Sequence, residues 1–244
     1  MSKSLRMWML VLALVAMPFV ASALSEGPGV TAEQAMALLV DGNARFVRGD
    51  VIHPNQREDR RKGTSLNGQH PFVTVLSCAD SRVPAEILFD RGIGDVFSVR
   101  VAGNVAAVDE IGTIEYGVEH LGTPLLVVLG HTQCGAVTAV VKGEQVGGNI
   151  PQLVAPIVPV AERVKAAMAG QEMNAVVAAA IEENVWQVID DIFKGSPIVR
   201  HLVQEGKLSV QGAMYVLESG TVRFMGKHPA EERLLAYTGG PGGH

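Results

Sequence analysis

Between residues 71 and 142 the chain alternates short, almost unbroken apolar runs with segments of helical periodicity. The runs are Phe72–Leu76, Val96–Val101 and Pro124–Leu129, rich in Val, Leu and Phe and too short for a helix of average length. Helix-like segments at Pro84–Phe89, Asp109–Leu121 and Cys134–Val141 separate or follow them. Apolar runs without polar alternation suit strands buried on both faces. The order therefore predicts an α/β fold, a mainly parallel central β-sheet flanked by helices. Upstream, Thr31 with Gln34 three residues on makes a capping box, and Ala35, Leu38, Leu39 and Phe46 share one face of a helix over 32–48. The mostly polar stretch Gly49–His70 predicts a long loop with room for one helical turn. The C-terminal third predicts helices over Pro151–Met168 and Glu172–Phe193 and a short helix opened by Ser196-Pro197. A hairpin of Leu208–Leu217 and Thr221–Met225, turned at Ser219-Gly220, closes the fold, and the glycine-rich 239–244 predicts a flexible tail.

The first two dozen residues follow another pattern. Lys3 and Arg6 precede Met7–Val20, apolar apart from Pro18, and Ala21-Ser22-Ala23 places small residues in an A-x-A arrangement. This reads as a secretory signal peptide over 1–23, its apolar run being shorter than the roughly 18–20 residues that span a bilayer. The expectation is an exported, periplasmic protein with a single domain over 24–238 and no stable membrane insertion after cleavage. The net charge of −5 becomes more negative once Lys3 and Arg6 are removed, and no basic cluster remains. That argues against nucleic acid as a partner.

The chain has two cysteines, and in an oxidising compartment a disulfide is the default reading. Their placement offers another. Cys78 follows the first apolar run and His131 the third, with Cys134 opening the next helix. In an open parallel sheet, ligands bind at the carboxyl ends of the strands where strand order reverses. Two Cys and one His form a donor set suited to Zn²⁺ that leaves a fourth position for water. A thiol at a helix N-terminus favours the thiolate that metal binding requires. Asp80 could then orient a water at that position, and Arg82 could hold Asp80 bidentately and ionised. From these residues alone both metal and disulfide stay open.

C-A-D-S-R at 78–82 with H-T-Q-C-G at 131–135 resembles the β-class carbonic anhydrases, in an exported bacterial form. The resemblance runs from G-N-A-R-F at 42–46 through I-E-Y-G-V-E-H-L-G at 114–122 to G-A-M-Y-V-L-E-S-G at 212–220. It decides for metal. It implies one Zn²⁺ per chain on Cys78, His131 and Cys134, and Asp80 and Arg82 as a catalytic dyad. It implies reversible hydration of carbon dioxide to bicarbonate and a proton by zinc-bound hydroxide. It further implies that Asp80 can swing onto zinc as a fourth ligand in an inactive state. Gln69, Phe97, Tyr116 and the Gly135 backbone N–H would contact substrate, some of them across a subunit boundary. A homodimer or larger homo-oligomer is implied, with the first helix packed on the neighbouring subunit. Two positions depart from the family pattern. Ala102 stands where some members have valine, which leaves the pocket roomier. Val75 stands where the bicarbonate-inhibited subgroup has tryptophan, which puts that inhibitory site in doubt.

Two other readings compete. One keeps the scaffold and changes the substrate to a carbon dioxide analogue such as carbonyl sulfide or carbon disulfide. The other is a non-catalytic zinc or redox protein, against which the Asp80–Arg82 pair argues. His70 and His120 read as solvated, and Trp186 and the methionines as core or interface filling.

Overall fold

The computed structural model describes residues 29–239; the signal segment and residues 240–244 of the tail lie outside them. Five strands form one sheet: β1 (Val73–Cys78), β2 (Val96–Val101), β3 (Leu125–His131), β4 (Ser209–Tyr215) and β5 (Val222–Gly226), in the order β2-β1-β3-β4-β5. The first four are mutually parallel and β5 runs antiparallel to β4. Every residue of β1 and β3 is buried, as strands covered on both faces require.

Alternation within the strands sorts side chains into two cores. Val73, Val75, Leu125, Val127 and Leu129 face α1 (Ala32–Arg48) and α3 (Ala85–Leu88). Leu76, Cys78, Leu126 and Val128 face the larger core. That core is covered by α4 (Val108–Glu115), α5 (Gly135–Lys142), α7 (Val158–Ala167), α8 (Met173–Gly195) and α9 (Pro197–Gln204). A short α10 (Glu231–Leu235) ends the described chain. Among the described residues no helix is long and apolar enough to cross a membrane.

Helix α1 starts on the expected capping box, the Gln34 N–H donating to Thr31 Oγ1 and the Thr31 N–H to Gln34 Oε1. Part of its apolar face is filled from the same chain: Ala35 and Leu39 are fully buried in the core with Val73 and Phe89, while Val40 and Val47 stand exposed. A Cβ on Gly42 would lie 1.8 Å from the Phe89 carbonyl oxygen, so backbone meets backbone there. Asn43 donates to the carbonyls of Leu88 and Gly220 and accepts from the Val222 N–H, tying α1 to α3 and to the β4–β5 hairpin.

Three expectations are corrected. The Gly49–His70 loop contains a ten-residue helix, α2 (Glu58–Asn67). None of its residues is buried, so it has no apolar stripe to betray it; Arg60 anchors it through the Ile93 carbonyl and Asp95. The helix expected over Pro151–Met168 is broken into α6 (Ile150–Val154), a 3₁₀ turn at Ala155–Ile157, and α7. Pro156 and Pro159 supply no N–H to a continuous helix. The helix expected to run to Leu121 ends at Glu115 and widens into a π-type turn, the Leu121 N–H reaching the Tyr116 carbonyl.

The buried Asp90 carboxylate joins α1 to the segment after it, accepting from Arg45 Nε and from the backbone N–H groups of Ile52 and His53. Burial raises its pKa, but these donors together outweigh burial and leave it lowered. A lowered folded-state pKa contributes stability that is complete above the unfolded value of about 3.9. It is lost as pH falls through the folded-state value. Asp90→Asn is expected to cost about 3 kcal/mol at neutral pH and to flatten the acid limb of the stability curve below about pH 4, as measured by urea unfolding across pH. A variant with the parent's acid limb would show that the group contributes nothing there.

Candidate metal centre

The sheet order places a switch point between β1 and β3, because the chain leaves β1 for β2 on one side and returns to β3 on the other. Ser77 lies opposite Leu129, so Cys78 is level with Gly130 and one residue short of His131. Cys78 and His131 are thus the last residues of their strands, each strand running two residues beyond its expected apolar run. Gly130 is needed because a Cβ would meet Val185 at 2.6 Å and Met214 Sδ at 2.8 Å. Cys134 occupies the N-cap position of α5.

Among the described residues, Cys78, His131 and Cys134 form the one set of metal-ligand type, their ligand atoms all within 4.8 Å of one another and all three residues buried. The two thiols are not bonded to each other. His131 Nδ1 lies 2.9 Å from the Thr132 carbonyl oxygen. That oxygen can only accept, so the proton sits on Nδ1 and Nε2 presents a lone pair. Nε2 is buried and has no hydrogen-bond partner, a costly arrangement for a polar atom unless it binds a metal. Cys78 Sγ accepts the Gly103 N–H at 3.3 Å. The Cys134 side chain's hydrogen bond pulls the Cys78 thiol well below its usual pKa against burial, helped by His131 and the amides of Gly103 and Asp80. Cys134 is pushed up by Cys78 and by burial. Ionising one thiol thus opposes ionising the other, and a cation held between them would relieve that opposition. The donor set, tautomer and burial all fit Zn²⁺.

Beside this set Asp80 is gripped by Arg82: Nε and the backbone N–H donate to Oδ1 at 2.9 Å, and Nη2 donates to Oδ2 at 2.7 Å. The guanidinium holds the Asp80 carboxyl well below the usual carboxylate range. Asp80 Oδ2 stands 3.9 Å from His131 Nε2. Arg100 Nη2 donates to the Asp80 carbonyl at 2.8 Å and fixes the loop from β2. Gly135 borders an open recess of about 540 Å³ with Ala102, Ala136, Val140 and Leu153 among its walls.

The other expected substrate residues lie elsewhere in the chain. Phe97 is level with Thr74, four residues back from Cys78 and so about 13 Å away along the strand. Phe97 and Tyr116 pack together at 5.9 Å between ring centroids. Tyr116 lines a separate surface recess with Gln69, His70, Arg61 and Leu121. Within one chain, then, Cys78, Asp80, Arg82, His131, Cys134 and Gly135 are brought together, and Gln69, Phe97 and Tyr116 are not. Sequence reasoning missed Gly103 as a donor to sulfur, Arg100 as a brace for Asp80 and the Thr132 carbonyl as the orienting group for His131. Gly103, between Ala102 and Asn104, invited that reading, since a glycine there permits close backbone approach.

A sheet with a buried Cys–His–Cys set at its switch point and a charged pair beside it fits a zinc enzyme. The chain belongs to the carbonic anhydrase family, β-class: the family model described as carbonic anhydrase matches residues 73–222. It is 36% identical to carbonic anhydrase 2 of Mycobacterium tuberculosis over 79% of this chain and 92% of that protein. The crystal structure of the β-carbonic anhydrase CafA of Aspergillus fumigatus covers 84% of this chain and 95% of its own, at 29% identity and a TM-score of 0.67. A tetrameric β-carbonic anhydrase of Sordaria macrospora shares the fold at 24% identity and a TM-score of 0.61, covering 79% of this chain and 98% of its own. β-Carbonic anhydrases are zinc enzymes that hydrate carbon dioxide.

Cys134→Ser is expected to reduce zinc from about one equivalent per chain to a small fraction of that after dialysis, measured by atomic emission. Retention of a full equivalent would mean that another group completes the set.

Proposed function

We propose that in this carbonic anhydrase Asp80 and Arg82 act as the dyad that orients the attacking water. The observation that carries this reading is the two-point grip of Arg82 on Asp80 with Oδ2 left facing the metal set. A zinc ion held by Cys78, His131 and Cys134 would supply a water acidified toward a pKa of about 7. Asp80, kept ionised by Arg82, accepts a hydrogen bond from that water and cannot return a proton to it near neutral pH. Its oxygens are committed to Arg82, which favours this role over Asp80 serving as a fourth ligand. The Gly135 N–H, at the start of α5, carries the positive end of the helix and suits an oxygen of bicarbonate.

Gln69, Phe97 and Tyr116 serve substrate only if a neighbouring subunit brings them to the metal centre. Their distance from Cys78 within one chain, and the tetramer of the Sordaria relative, favour a homo-oligomer. Export to the periplasm rests on the Lys3–Arg6 start, the apolar Met7–Val20 and the Ala21-Ser22-Ala23 site. The protein recovered by osmotic shock is then expected to begin at Leu24 on N-terminal sequencing. Full-length chain confined to the cytoplasm would refute export.

Stopped-flow hydration of carbon dioxide is expected to fall about 10²- to 10⁴-fold in Asp80→Asn with zinc content unchanged. Parent-like turnover in the variant would remove the dyad. Absence of hydration in the zinc-loaded parent would turn the reading toward a carbon dioxide analogue or a binding role.

A further inference from the structure

We propose that Asn184, on α8, is a positioning residue for the Cys78 thiolate, acting through Gly103. Asn184 is 1% exposed, and its Nδ2 donates at 3.0 Å to the Gly103 carbonyl in a buried contact spanning 81 residues of sequence. At its other end the same Gly103 residue donates its N–H to Cys78 Sγ. One residue thus links the long helix of the larger core to a metal-binding sulfur.

Gly103 is held in a conformation that needs holding. Its φ is +77°, and the next residue, Asn104, is also left-handed at +44°, a state that costs a non-glycine residue about 1 kcal/mol or more. A Cβ at Gly103 would lie 2.8 Å from Ile157 Cδ1 and 3.2 Å from the Ala136 Cβ, so neighbouring side chains close over the turn. The glycine gives the backbone the freedom to aim its N–H at sulfur, and it gives the peptide the freedom to turn away. Asn184 removes the second freedom. Without its Nδ2 the Gly103 carbonyl would be a buried acceptor without this donor, and the turn would relax toward any arrangement that finds one.

An N–H directed at a thiolate withdraws charge from the sulfur and fixes its lone pairs. Groups of this kind typically change metal affinity by about 10- to 100-fold when removed. In effect Asn184 makes Cys78 a weaker electron donor and a better-aimed one. The inference rests on the zinc centre and not on hydratase activity, so it is read without carbon dioxide.

The test compares the full-length mature protein with Asn184→Ala, Asn184→Asp and the control Ile189→Val, which trims a fully buried side chain of the same helix. Zinc release to a chromophoric chelator and the thiolate-to-metal charge-transfer band of the cobalt(II)-substituted protein are recorded, with thermal unfolding of the metal-free forms alongside. Loss of the Asn184 donor is expected to speed zinc release about tenfold or more and to move the cobalt band to longer wavelength. Ile189→Val should lower the melting temperature without moving the band. Folded Asn184 variants with the parent's band and release rate would overturn the proposal. So would faster release that merely tracks lost stability with no spectral change. If Asn184→Asp does not fold because of its buried charge, Asn184→Ala decides. A parent protein that holds no zinc would overturn this inference and the proposed function together, whereas a zinc-loaded parent without hydratase activity would remove only the latter.

Discussion

The parallel register of β1 and β3 is the constraint on which the rest depends. It sets Cys78 level with Gly130, so that the carboxyl ends of two adjacent strands finish with a sulfur and an imidazole one position apart. Strand order reverses between these two strands, and the turn after β2 closes against their ends through the Gly103 N–H. A slip of one residue would turn every side chain of the strand to the opposite face. It would send Cys78 toward the core of α1 and exchange Leu76 for Val75. Because both strands are buried throughout, such a slip would disturb two hydrophobic cores at once, and the cores therefore protect the geometry of the site.

Around that pair the chain arranges charge so that a dication is favoured. Two thiols and an imidazole lone pair are buried together, and among the described residues no lysine or arginine is hydrogen-bonded to them. The guanidinium of Arg82 is committed to Asp80. Burial opposes ionising both thiols, and the first to ionise raises the pKa of the second. A divalent metal relieves both penalties, which explains why a buried imidazole nitrogen is tolerated without a hydrogen-bond partner. Arg82 does different work. It grips both carboxylate oxygens of Asp80 and keeps that group anionic.

Much of this was legible in the sequence, for physical reasons. Buried strands announce themselves as apolar runs, the capping box of α1 is a local contact between neighbours, and the motif residues of the metal centre fall at strand ends. What escaped was of two kinds. Helix α2 buries nothing, so no periodicity marks it; it is held by Arg60 reaching the turn before β2, a partner more than thirty residues away. The breaks at Pro156 and Pro159 were visible as residues, but the apolar period across them favoured one continuous helix. The inward packing of Ala35 and Leu39 was hidden because amphipathicity shows that a face is covered without showing by what.

The second kind concerns the site itself. The ligands can be read from the sequence because each residue carries its own chemistry. The groups that orient them are mostly backbone atoms: the Thr132 carbonyl for His131 and the Gly103 N–H for Cys78. Backbone groups are present at every position, so composition cannot single them out. Only the fold decides which of them point inward. A left-handed glycine wedged between Ile157 and Ala136 owes its direction to helices that arrive much later in the chain. The precision of the metal centre is therefore a property of the whole α/β assembly, and residues remote from the motif in sequence, α8 among them, share in setting it.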